Sequence, residues 1–82
     1  MYRITLPKEN ILGILAFDEK NAGHIEVLTR YAHLKRAVFL GAEREIKALI
    51  LADYTDGERC FAVDIAPRSL FARLEKNLFL NL

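Results

Sequence analysis

The sequence predicts an α+β fold, a small antiparallel sheet with a C-terminal helix, in a single domain spanning residues 1–82. Three observations predict it. Asp56-Gly57 sits between two apolar, alternating runs, which marks a β-hairpin. Leu70, Phe71, Leu74 and Leu78 recur at helical spacing after Pro67. A chain of 82 residues makes one domain and falls short of two.

The hairpin is expected at about 46–54 and 59–65. With Asp56-Gly57 as a two-residue turn, Tyr54 faces Arg59, Asp53 faces Cys60 and Ile50 faces Val63. Side chains alternate along a strand. One face then carries Ala48, Ile50, Ala52, Tyr54, Phe61, Val63 and Ile65, with Arg59 at its mouth, and reads as core. The other carries Leu49, Leu51, Cys60 and Ala62 among Asp53, Thr55, Glu58 and Asp64, so it is half apolar and invites cover.

In chain order, Tyr2–Leu6 alternates and reads as a strand ended by Pro7. Residues 8–21 admit two readings. A helix is preferred: Pro7 suits a first turn, Lys20 the last, and Asn21-Ala22-Gly23 a stop. Gly13 argues against it, and Ile11–Phe17 also suits a buried strand. His24–Ala32 is read as a strand, because Ile25, Val27, Thr29 and Tyr31 alternate; a helix using Ile25, Leu28, Tyr31 and Ala32 is the competitor. Ala37–Leu40 is a short strand stopped by Gly41. Glu43–Leu49 has helix propensity, but the strand from Lys47 to Tyr54 has a matched partner beyond the turn and takes precedence. The C-terminal helix is expected at about 68–78. Leu78–Leu82 is an apolar tail that needs cover from its own sheet or from another subunit.

Composition narrows the function classes. Hydrophobic residues make up 52% of the chain, more than so small a domain readily buries. The net charge of +1 neither demands nor excludes nucleic acid. One cysteine rules out an internal disulfide framework and points to the cytoplasm. Residues 1–9 lack the apolar core of a signal peptide, and no apolar run is long enough to span a membrane.

No residue reads as catalytic, cofactor-binding or metal-ligating. A reactive thiol needs a nearby base or cation, whereas Cys60 is placed opposite a carboxylate. His24 and His33 are nine residues apart, and with Cys60 they fall short of a structural zinc set. Asp56 is explained by the turn, and Asp53 and Asp64 by the less buried face. Phosphate loops, nucleophile elbows and His-Glu-x-x-His are missing. The most basic stretch offers Arg30, Tyr31, Lys35 and Arg36, cations interleaved with an aromatic, as a candidate nucleic-acid contact.

Residues 46–79 carry Tyr54-Thr-Asp-Gly57, then Phe61-Ala-Val-Asp-Ile65, then Leu70-Phe71, Leu74 and Leu78-Phe79. This succession is similar to the opening half of the small bacterial domains known as domain of unknown function 2442. The resemblance implies a small α+β domain with no established activity. The later strands of that family have no counterpart here, and residues 1–45 match none of it.

The expected function is a non-enzymatic interaction module, a homodimer or the partner of another protein. Its candidate interface is Leu49, Leu51, Cys60, Ala62, Leu78, Phe79, Leu80 and Leu82. Two alternatives stand beside it: a small nucleic-acid-associated protein, and an enzyme whose site is completed across a dimer interface.

Overall fold

The computed structural model describes residues 4–41 and 45–82. The expected strand residues Tyr2 and Arg3, and the competing helical residues 42–44, lie outside them. The elements are β1 (Thr5–Pro7), β2 (Ile11–Ala16), α1 (Ala22–His33), β3 (Ala37–Leu40), β4 (Ala48–Tyr54), β5 (Gly57–Val63), α2 (Pro67–Lys76) and β6 (Phe79–Asn81). A single 3-10 turn, Lys8–Asn10, joins β1 to β2. This is an α+β fold with the expected hairpin and C-terminal helix. The main sheet has the order β2-β4-β5-β3, and a separate ribbon pairs β1 with β6. Strand β3 runs parallel to β5, while the other pairings are antiparallel.

The two faces of the hairpin are as the alternation predicts. Ala48, Ile50, Ala52, Phe61 and Val63 enter one core, and Leu49, Cys60 and Ala62 another. The register differs. Tyr54 pairs with Gly57, Ala52 with Arg59, Leu51 with Cys60 and Ile50 with Phe61, so Thr55 and Asp56 form the loop. Each partner is displaced by two residues from the expected pairing, and a two-residue slip keeps every side chain on its face. Burial therefore selects the faces and leaves the slip to the turn. Gly57 takes φ +122°, a conformation that disfavours side chains, which accounts for glycine there. The Asp56 carboxylate is held by Arg59 at 3.1 Å and Arg36 at 3.2 Å.

Residues 8–21 are not helical: β2 pairs with β4, with Leu12 as a bulge between Ile11 and Gly13. Pro7 ends β1 and leads only into the single 3-10 turn at Lys8–Asn10, with no α-helix after it. Pairing with the edge of β4 outweighs weak helical propensity over a run that contains Gly13. Residues 24–32 are not a strand but lie within α1. Asn21, expected to stop a helix, starts one: its Oδ1 accepts from the N–H groups of Gly23 and His24 at 2.9 and 3.2 Å. The helix closes in a Schellman arrangement. Arg36 N–H donates to Tyr31 O at 2.7 Å and Lys35 N–H to Ala32 O at 3.0 Å, with Lys35 at φ 60°. These caps and the half-apolar sheet face beneath decide for helix over alternation.

Helix α2 begins at Pro67 and stops before Asn77, so Leu78 falls outside it. Lys8 Nζ donates to Leu74 O at 3.2 Å, a cation at the negative end of the helix. Leu70 and Leu74 join Leu6 and Leu80 of the ribbon over the Ile50–Phe61 face. Helix α1 covers the opposite face with Val27, Leu28 and Tyr31. The chain thus forms three layers, with α1 above the sheet and α2 with the ribbon below it.

Candidate interaction surface

The candidate interface residues divide between core and surface. Leu49, Cys60 and Ala62 are fully buried beneath α1, with Leu51 half-buried against them. The tail finds cover within the chain. Leu80 is fully buried opposite Leu6, and Leu82 is half-buried, its backbone exchanging hydrogen bonds with Ile4 at 3.3 and 2.8 Å. Leu78 and Phe79 point outward, and Leu78 is 76% exposed. They line a cleft of about 400 Å³ with Pro7, Lys8 and Glu9. A neighbouring cleft of about 360 Å³ lies between β2 and α2, where Leu12 and Phe71 are both more than half exposed.

A shallow apolar surface, bordering about 600 Å³, is one that the sequence reading did not include. It lies along the outer face of α1, where Ala22, Ile25 and Thr29 form a stripe flanked by Glu26, Arg30 and His33, with Leu34 just past the helix end. Leu34 is 62% exposed. No residue of α1 is buried, although its inner side chains touch the sheet. A helix on the outside of a domain ordinarily turns a polar face to water. The signal for the groove is a second apolar stripe, which exists only once residues 22–33 are read as helical.

The basic candidates separate. Arg30 lies on the groove side of α1 and bonds Glu26 at 3.3 Å. Tyr31 turns toward the sheet, and its hydroxyl donates to Glu58 at 3.0 Å. Burial, then that hydrogen bond, holds the Tyr31 hydroxyl above the ordinary phenol range. Lys35 and Arg36 follow the helix and share a cleft of about 340 Å³ with Arg59 and Asp56. The hydrogen bond from Arg59 lowers the Asp56 carboxyl below its ordinary range. The Arg59 guanidinium carbon also sits 4.8 Å from the centre of the Tyr54 ring. Arg68 is on α2, outside this cleft, and Arg3 lies outside the described residues.

The candidate chemical groups have structural occupations. Cys60 lies opposite Leu51, not Asp53, and burial pushes its thiol up to about 11, away from the thiolate that nucleophilic chemistry requires. His24 Nδ1 accepts the Asp18 N–H at 3.0 Å, which ties the loop to the start of α1. Asp64 lies against Gly41, where an added Cβ would come within 2.9 Å of its carboxyl carbon. Among the described residues, no cluster of three or more His, Cys, Asp or Glu could hold a metal ion. No helix among them is long and apolar enough to cross a membrane.

No family model matches the chain, and comparison with curated proteins and solved structures likewise finds no match.

Proposed function

We propose that the chain is a non-enzymatic interaction module that associates with itself through apolar surface. The observation that carries this reading is the outer face of α1, where a capped helix with no buried residue turns a second apolar stripe to solvent. The clefts at Leu12–Phe71 and Leu78–Phe79 add further exposed apolar surface. Monomeric proteins bury or scatter such groups, and contiguous apolar patches mark association sites. The non-enzymatic part is supported by what the reactive groups do: Cys60 is core, His24 braces a loop and Asp56 anchors two arginines. A lone buried thiol suits the cytoplasm. The resemblance of residues 46–79 to domain of unknown function 2442 accords with a module of no established activity. Sedimentation equilibrium over the micromolar range is the test. The expected result is a mass that rises with concentration toward that of a dimer, whereas a constant monomer mass removes the reading.

One observation favours the nucleic-acid alternative: Arg59 joins Lys35 and Arg36 around a single cleft. Asp56 and Glu58 lie close by in the turn and strand, which weakens any net field there. On this alternative, RNA or DNA binding falls steeply with salt, and the double substitution of Lys35 and Arg36 by Ala reduces both affinity and salt slope. Unchanged binding in that variant eliminates it.

A further inference from the structure

We propose that the outer face of α1 docks against α1 of a second copy, antiparallel about a two-fold axis, with Glu26 of each chain meeting Arg30 of the other. The inference rests on the self-association reading and names the surface and the partner.

Three observations carry it. The first is incomplete burial of the helix. Twelve residues make a helix that is marginal in isolation, and α1 has no residue that its own domain buries. Leu70 and Leu74, by contrast, anchor α2. A partner on the outer face would bury Ile25 and Leu34, which the sheet cannot reach.

The second is shape. Thr29, near the middle of the helix, and Ala22, at its start, are small, with the larger Ile25 between them and Leu34 just past the helix end. Small central residues let helices approach to the roughly 8–10 Å between axes seen in packed pairs.

The third is charge, which selects the occupant. Glu26 and Arg30 are one turn apart on the rim of the groove, and both are about 70% exposed (71% and 68%). A two-fold axis level with Leu28 exchanges their positions. It brings Glu26 of each helix to Arg30 of the other, and Ala22 to Leu34. Parallel docking would instead set Glu26 beside Glu26 and Arg30 beside Arg30. The rim is therefore complementary to its own inverted copy, which is what an isologous interface requires.

The test uses the intact chain and two charge-reversal variants, E26R and R30E. Both positions are exposed, so both variants should keep the wild-type far-UV circular dichroism. Each alone sets like charges across the axis at two places, and the expected result is a dimer dissociation constant raised about tenfold or more. An equimolar mixture of the two restores opposite charges at both places. It should form a heterodimer with near wild-type affinity, measured by sedimentation or native mass spectrometry. Loss in each variant with recovery in the mixture supports the proposal. Folded variants that dimerise undiminished, or a mixture that recovers nothing, overturn the α1 pairing. With a dimeric wild type, that outcome leaves self-association standing and transfers the interface to the clefts at Leu12–Phe71 and Leu78–Phe79. A wild type that stays monomeric throughout overturns both.

Discussion

The two faces of the sheet are filled to different depths. Below it, Leu70 and Leu74 of α2 and Leu6 and Leu80 of the ribbon close over Ile50, Phe61 and Val63, giving nine buried residues in one cluster. Above it, among the described residues, only Leu49, Cys60 and Ala62 are buried, and the α1 side chains that cover them are themselves only partly buried. Leu15 of β2 and Phe39 of β3, on that same upper face, remain 39% and 40% exposed at either side of the helix. The difference teaches where a small domain spends its apolar residues. The lower core holds the fold together, and the upper layer leaves apolar side chains of α1, β2 and β3 part exposed.

Truncating one leucine on each side probes the comparison most strongly. Leu70→Ala should cost about 3 kcal/mol of unfolding free energy, because it empties a fully buried site. Leu28→Ala on α1 should cost less, about 1–2 kcal/mol, since its side chain is only partly buried. Urea denaturation measures both, and equal losses would break the distinction between the faces.

Alkaline titration addresses the upper face alone. Burial raises the Cys60 thiol from 9.0 to about 11. Below pH 9 the thiol is protonated in both folded and unfolded chains, and its contribution is fully present. Above it the unfolded chain ionises first, so stability is lost as pH rises toward 11. The expected loss from this group is of order 1–2 kcal/mol once solvent screening of the thiolate is allowed for. Thermal melts of the wild type and Cys60→Ala should converge across this window, and a constant difference would show that the upper layer leaves the thiol wet.

The smallest effect is at the end of α1. Lys35 occupies a left-handed conformation that glycine adopts freely, so Lys35→Gly should stabilise the chain by about 0.5–1 kcal/mol. Its sign is the informative quantity: a loss of stability would mean that the lysine side chain holds the helix end by contacts that outweigh its backbone strain.

How much of this could be read from the residues depends on the kind of ambiguity. The faces of the hairpin were legible because alternation and burial agree at Ile50, Ala52, Phe61 and Val63. Its register was not, because shifting by two residues preserves every face. The C-terminal helix was legible from Pro67, Leu70 and Leu74, but Leu78 continues the spacing beyond the point where Asn77 turns extended. Asn21 misled because asparagine serves at either end of a helix, and the hydrogen bonds to Gly23 and His24 decide between them. The groove was the least legible feature. Ile25 and Thr29 share a face on a strand as well as on a helix, but Ala22 joins them only on a helix, and Leu34 reaches the surface from the helix end. The need for cover was visible at Leu49 and Ala62, whereas the identity of the cover, α1 of the same chain, depended on that single assignment.

Amide hydrogen exchange at low and high micromolar protein tests the central claim most directly, because it reads both faces in one sample. The account predicts that amides of α1, thinly held by its own sheet, gain protection as concentration rises, while those of α2 and the β1/β6 ribbon stay unchanged. Protection of α1 that is independent of concentration, or a gain confined to the ribbon and α2, would contradict it.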